Sequence, residues 1–251
     1  MAAAFSQSLG SRWLRHSTTP AALGLSASGP LTVVGWAKYF LAGADTVAAI
    51  MADDGAADSF NARKQMDDRF TSEMIVDSAF ADAFVSGVSI DTWYFVEWFF
   101  SSSARRVRLN NGAPGVNSTA LGTITPFTTL TIGVAKHPGA GPGAFSGCIA
   151  ELAFLNRELT DQERADLAAG YTPPNVFGLS SIPFYVPLAD GATAAQAYNF
   201  GASVTMTIPN LEPTTCSDGP ALITGSPSSG SSGARRGPRP LWETPLDRDG
   251  G

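Results

Sequence analysis

Between Ala3 and Pro187 the apolar residues recur mostly at every second position, in short runs broken by Gly, Pro, Asn, Asp and Ser. That is the signature of strands with one face in a core. It predicts strands over residues 3–9, 13–16, 31–40, 47–52, 59–64, 70–76, 93–100, 105–110, 130–135, 145–155 and 184–188. Helical periodicity is convincing only over residues 160–170, TDQERADLAAG, where Thr160 is suited to the N-cap, Glu163 can complete a capping box and Gly170 can end the helix. The expectation is therefore an all-β fold decorated by one short helix.

The hairpin of residues 93–111 is the clearest local unit. Tyr94, Val96, Trp98 and Phe100 share one face, and Trp93, Phe95, Glu97 and Phe99 share the other. With both faces largely apolar, this strand is expected at the centre of a sheet. Its partner turns Val107 and Leu109 one way and Arg106 and Arg108 the other, and a symmetric turn at residues 101–104 sets Glu97 across from Arg108 on the wetter face. Arg106, Arg108 and Glu97 are thus solvated sheet-face residues or ligand contacts. Trp36 and Trp93 are large enough to bridge two packed sheets and are expected in the core.

Composition supports a large β domain and removes several function classes. Only 15% of the 251 residues are charged, against about 25% in an average soluble domain. Gly 26 and Pro 17 call for many turns, and 15 Phe with 5 Trp supply bulk for a core. The net charge of −6 argues against general nucleic-acid binding. The longest apolar run, residues 93–100, is strand-length and carries Glu97, so no membrane span is expected. Cys148 and Cys216 permit one disulfide, but a chain this long builds a core without it, and two buried thiols are expected.

Candidate chemistry is sparse. His16 and His137 stand without a neighbouring acid or nucleophile, and no Cys-x-x-Cys, His-Glu-x-x-His or Gly-x-x-x-x-Gly-Lys occurs. Asp53, Asp54 and Asp58 form the densest acidic loop, a candidate calcium site that lacks EF-hand spacing and is equally explained by solvation or turn formation. No other cofactor is expected.

Beyond the strands the character changes. Residues 225–233, GSPSSGSSG, have linker composition, and in the segment after them Arg235, Arg236 and Arg239 precede Leu241 and Trp242. A tryptophan flanked by prolines suits a docking arm. The plainer alternative is a tail that docks nowhere. The chain accordingly divides into a domain over 1–210, a linker over 211–233 and an arm over 234–251.

Three stretches in order resemble the laminin-G-like, concanavalin-A-like lectin and glucanase superfamily: LTVVGWAK at 31–38; the Trp-strand-turn-strand-Asn-Gly pattern of 93–112; and 130–170. The last has Ile132-Gly133, a glycine-rich loop, then FSGCIAELAFLNRELTDQERADLAAG. FYVPLADG at 184–191 is similar to the strand and turn that open or close such domains. The resemblance implies an antiparallel two-sheet jelly-roll sandwich with an extended C-terminal arm. In the return strand, Gly147 allows a close approach, and Ile149, Glu151 and Ala153 alternate with Ala150, Leu152 and Phe154.

Retaining glucanases on this fold place two carboxyl groups about 5 Å apart, so one strand must carry acids at alternate positions. Glu97 and Glu151 each stand alone on their strands, so an enzyme is not expected. The reading is a non-catalytic binding or structural module with weak affinity for cell-surface glycans. The alternative is a carbohydrate-binding adhesin, with a glycoside hydrolase less favoured. Residues 1–10 lack a basic-then-apolar leader. A chain of this kind ending in a linker and a hydrophobic hook resembles a phage virion component, such as a capsid decoration or fibre protein. The expectations are synthesis in the cytoplasm, display on a virion or particle surface, and docking of the arm on neighbouring copies or other virion proteins.

Overall fold

β-branched and aromatic residues at alternate positions pair into two antiparallel sheets because each run has one face too apolar to leave in water. The computed structural model describes residues 2–5, 14–16, 19–26, 29–40, 45–51, 58–65, 68–77, 79–121, 129–135, 143–188, 196–206, 214–216, 218–223, 225 and 227. Within them the chain runs β1 (Ala3–Phe5), β2 (Leu14–His16), β3 (Leu31–Tyr39), β4 (Asp45–Met51), β5 (Ser59–Gln65), β6 (Arg69–Val76), β7 (Ala79–Ser86), β8 (Tyr94–Phe100), β9 (Arg105–Leu109) and β10 (Gly115–Asn117). It continues through β11 (Thr129–Ile132), β12 (Val134–Ala135), β13 (Gly143–Ala144), β14 (Gly147–Leu155), helices α1 (Asp161–Ala168) and α2 (Pro173–Phe177), β15 (Phe184–Val186), β16 (Gln196–Asn199), β17 (Ala202–Thr205) and β18 (Thr214–Thr215).

A ten-stranded sheet has the order β10-β9-β8-β3-β14-β15-β16-β17, with β1 lying between β14 and β18. An eight-stranded sheet has the order β12-β13-β4-β5-β6-β7, with β11 pairing β4 and β2. Non-consecutive neighbours such as β3 and β14 make this a crossed-over jelly roll, and β8 lies inside its sheet as its two apolar faces require. The sheets meet through an aromatic core. Phe70 of β6 stands edge-on to Trp98 of β8, centroids 5.8 Å apart, and Phe60 of β5 stacks on Phe100 of β8 at 5.0 Å. Trp98 therefore occupies the place expected of Trp36 and Trp93. Those two are only partly buried and pack in the layer outside the ten-stranded sheet, because Trp36 lies on the face of β3 opposite to Val33 and Ala37.

Local signals account for most elements. The α1 capping box is present in both directions: the Thr160 hydroxyl accepts from the Glu163 N–H, and the Glu163 carboxylate accepts from the Thr160 N–H. A Cβ on Gly147 would come within 2.1 Å of the Lys38 carbonyl oxygen, so the close approach of β14 to β3 does require glycine. Glu97 is paired with Arg108 in the β8–β9 register. A second short helix, α2, and the strands β7, β10, β13, β16, β17 and β18 were not expected.

Two further expectations are overturned. The alternation along β14 shifts phase: Ala150 pairs with Trp36 but Ala153 pairs with Val34, so Glu151 and Leu152 together oppose Gly35. Glu151 takes φ +58° in this bulge. Ile149, Leu152 and Phe154 consequently all face the inter-sheet core. Glycine is needed opposite, since a Cβ on Gly35 would lie 2.7 Å from Leu152 Cδ2. The cysteines, for their part, are not thiols: Cys148 of β14 and Cys216 are joined, with Cα atoms 6.2 Å apart and 68 positions between them in sequence. Closing a loop of that size contributes on the order of 4 kcal/mol in the chain-entropy account. β18 also pairs with β1, and the Ile223 N–H donates to the Gly170 carbonyl at 2.8 Å. The folded layer thus takes in residues 214–216 and Ile223, which precede the Gly/Ser-rich stretch of 225–233.

At the far edge the two sheets touch. Asn117 of β10 donates to the Asp82 carbonyl of β7 at 2.7 Å, and a Cβ on Gly115 would fall 1.8 Å from the Phe84 carbonyl oxygen. With β10 this near, the core-facing positions of β7 hold small residues, the buried Ala81 and Ala83 and the partly buried Val85. Gly115→Ala is expected to force the strands apart at a cost of about 1–3 kcal/mol, read as a melting temperature lower by several degrees; an unchanged melt would refute the close contact.

The bulge residue Glu151 is buried and accepts a 2.5 Å hydrogen bond from the Tyr185 hydroxyl. Burial lifts its carboxyl from the ordinary range to about 7, the Tyr185 hydrogen bond opposing. Raised on folding, it contributes stability that is fully present below the ordinary carboxylate range and is lost as pH rises towards 7. Glu151→Gln should match the wild type in thermal melts near pH 4.5 and exceed it at pH 8, by on the order of 3 kcal/mol; parallel pH profiles would show that Glu151 ionises normally.

Candidate functional site

Along β5 and β6 the large apolar residues Phe60, Phe70 and Met74 face the core, so Ser59, Asn61 and Arg63 of β5 and Thr71, Glu73 and Ile75 of β6 face outward. Unbroken registers carry the same face onto β7, where Phe80, Asp82 and Phe84 stand opposite Ile75, Glu73 and Thr71. Cross-strand rows therefore run Ser59–Ile75–Phe80, Asn61–Glu73–Asp82 and Arg63–Thr71–Phe84. The two phenylalanines are 57% and 45% exposed, while Asn61, Thr71 and Glu73 beside them are buried. On β7 the usual arrangement of sizes is inverted, alanine inside and phenylalanine outside.

A glutamate organises the floor of this face. Glu73 accepts from Arg63 Nη1 at 2.8 and 2.6 Å and from Asn61 Nδ2 at 3.0 Å, and the same amide nitrogen donates to the Ser59 hydroxyl at 2.9 Å. Facing two acceptors, the Asn61 amide must turn its nitrogen towards them, which directs Oδ1 elsewhere. Three buried polar atoms of the face are then left without a hydrogen-bond partner: Asn61 Oδ1, Arg63 Nε and Thr71 Oγ1. Each unmade bond costs about 1–3 kcal/mol, and Trp93 Nε1, Trp98 Nε1 and Arg105 Nε on or beside the other sheet are unpartnered as well. The guanidinium of Arg69 lies 4.2 Å over the Phe84 ring and covers one side of it. What this face presents to solvent is the two rings with Asp82 between them.

The sheet-face charges named from sequence lie on the opposite sheet and are engaged with each other. Arg164 of α1 donates to Glu97 at 2.8 Å and to Glu158 at 3.1 Å, and Arg108 Nε is 3.7 Å from Glu97. Arg106 forks onto both oxygens of Glu158 and stacks 4.2 Å over the Phe99 ring. Glu97 is buried rather than wet, because α1 covers it. Burial pushes its carboxyl up while Arg164 and Arg108 pull it back; the hydrogen bonds from Arg106 hold Glu158 low. These ions fasten α1 to the ten-stranded sheet, alongside an apolar layer that includes Val34, Phe95, Leu159 and Leu167.

Asp58 is buried and accepts from the Asp77 N–H at 2.8 Å, an interaction that pins the β6–β7 turn. Asp53, Asp54 and the arm residues Arg235, Arg236, Arg239, Leu241 and Trp242 lie outside the described residues. Among the described residues no three His, Cys, Asp or Glu side chains are grouped to hold a metal. Sequence reasoning missed the polar face entirely. The signal was available in AFADAFVS, residues 79–86, where strict alternation places Phe, Asp and Phe on one side.

No family model and no curated protein matches the sequence. Solved structures do. A native heptameric SAP-like pentraxin from Limulus polyphemus aligns at 20% identity and TM-score 0.50, covering 66% of this chain and 81% of that one. The CBM40 of Ruminococcus gnavus IT-sialidase, bound to α2,3 sialyllactose, aligns at 14% identity and TM-score 0.55 over 66% of this chain and 96% of that one. Mouse laminin α1 chain domains LG4-5 align at 11% identity and TM-score 0.47, covering 61% and 40%. With its two sheets and crossed-over strand order, the chain has a jelly-roll sandwich fold similar to that of the pentraxin and the CBM40.

Proposed function

We propose that this domain is a non-catalytic glycan-binding module carried on a virion or particle surface, with the outward face of β5, β6 and β7 as its site. The observation that carries the reading is the pair of exposed rings of Phe80 and Phe84 on the outer face of β7, with Asp82 between them. The apolar face of a pyranose packs on an aromatic ring, and a carboxylate beside it accepts from sugar hydroxyls. A module of the same fold, the CBM40, is bound to sialyllactose. The buried glutamates support a non-catalytic role: Glu73 and Glu97 are tied to arginines, and Glu151 is taken by Tyr185.

Display outside a reducing cytoplasm is supported by the Cys148–Cys216 disulfide. The docking role is supported by the sequence of the arm, with Arg235, Arg236, Arg239, Leu241 and Trp242 after a Gly/Ser linker. Calcium rests on Asp53, Asp54 and Asp58 and is part of the proposal only as a variable of the assay.

A glycan array run with and without calcium tests the site. The wild type should bind a defined set of glycans, and Phe80→Ala should lose about tenfold in affinity, roughly 1.4 kcal/mol, at an unchanged melting temperature because the ring is exposed. Blank arrays, or Phe80→Ala binding like the wild type, would refute the site. Deleting residues 234–251 should leave glycan binding intact and prevent incorporation into the particle; normal incorporation would sink the docking arm.

A further inference from the structure

The described residues between 214 and 223 form a strap across the outer face of the ten-stranded sheet. At one end β18 pairs with β1, the Cys216 N–H donates to the Ala2 carbonyl at 2.8 Å, and Cys216 is bonded to Cys148 of β14. The strap then passes Lys38 of β3, whose Nζ donates to Asp218 Oδ1 at 2.6 Å. At its other end the Ile223 N–H donates to the Gly170 carbonyl at 2.8 Å, and the Ile223 carbonyl accepts from Asn175 Nδ2 at 3.2 Å. Around the disulfide lie Ala2 and Ala150, with the partly buried Trp36 and Trp93 packed against them.

Neither of the two large apolar clusters, the one between the sheets and the one under α1 and α2, contains a residue of this strap. Its buried side chains are Cys216, set among the small residues Ala2, Cys148 and Ala150, and Pro220. Asp218 is 55% exposed, and an ion pair that open to water adds little. The covalent bond is therefore what holds the 214–218 end down, whereas Ile223 has hydrogen bonds of its own.

From this contrast we infer that the strap is a redox-controlled cover, closed over Trp36, Trp93 and Lys38 when Cys148 and Cys216 are bonded and open at its 214–218 end when they are reduced. Both cysteines are buried, so a reductant reaches them during a local opening. The thiolate of a dithiol attacks one sulfur and forms a mixed disulfide, releasing the first cysteine; the second thiol of the reagent then displaces the other. Two electrons and two protons pass to Cys148 and Cys216, and the dithiol ends as a disulfide. Opening takes from Lys38 the nearer of its two carboxylates, leaving Asp91 at 3.5 Å, and removes β18 from the edge of β1. The switch lies on the opposite sheet from the proposed glycan site and does not depend on it.

Hydrogen exchange read by mass spectrometry tests it on the full chain, oxidised and in dithiothreitol, with Cys216→Ser as a permanently open form. Amides of residues 214–218, that of Cys216 above all, should exchange at least tenfold faster in the reduced wild type and in Cys216→Ser. Peptides covering β5, β6 and β8 should keep the protection they have in the oxidised protein. Unchanged protection of 214–218 after reduction, confirmed by free-thiol mass, would show that the strap needs no latch and overturn the inference. Loss of protection throughout β5, β6 and β8 would overturn it too, since the disulfide would then support the whole sandwich rather than one cover.

Discussion

The close contact of β7 with β10 is the constraint on which the rest of this structure turns. Where the Gly115 backbone meets the Phe84 carbonyl there is no room for another side chain, and the core positions of β7 hold small residues, Ala81, Ala83 and Val85. Period-two geometry then leaves Phe80 and Phe84 on the outside. A strand that contributes little apolar bulk to the core instead contributes it to the surface, beside the polar network of β5 and β6. The sandwich affords this exchange because its core is filled elsewhere, by Trp98, Phe70, Phe60 and Phe100 at the centre of the two sheets.

The two outer faces have opposite fates. That of the ten-stranded sheet is covered: α1 and α2 lie on it, Arg164 and Arg106 bind Glu97 and Glu158, and the disulfide secures the segment around Cys216 to β14. Its charged groups find partners within the chain. That of the eight-stranded sheet keeps two large rings exposed and three polar atoms without partners. The exposed aromatics of that face differ in kind from the tied ion network across the sandwich.

Much of the fold was legible in local sequence. Alternation located β3, β5, β6, β8, β9 and β14 to within a residue or two, the Thr160–Glu163 pair located α1, and the hairpin symmetry set Glu97 against Arg108. Gly147 was readable because a missing side chain in a return strand has a steric meaning. The failures share a cause. The bulge at Glu151 needs Gly35 on another strand, the Cys148–Cys216 pairing needs two segments 68 positions apart to meet, and the choice of Trp98 over Trp36 for the core depends on which face of each strand meets the second sheet. Strand β7 escaped notice because its alternating residues follow the period but reverse the usual order of sizes.

By itself, then, the sequence determined the all-β class, the antiparallel pairing of its clearest hairpin, the capped helix and the lack of an alternating acid motif on any strand. Those properties depend on neighbours a few residues away, and the spacing of residue types records them. Only the tertiary structure decided which face of each strand met the other sheet, and with it the site. Asn61, Arg63, Thr71 and Glu73 look like ordinary polar positions of two strands. They become one largely buried polar cluster beside Phe80 and Phe84 only once three strands are in register and β10 has closed against β7. Register and closure are long-range, set by the packing of the whole sandwich rather than by any local preference.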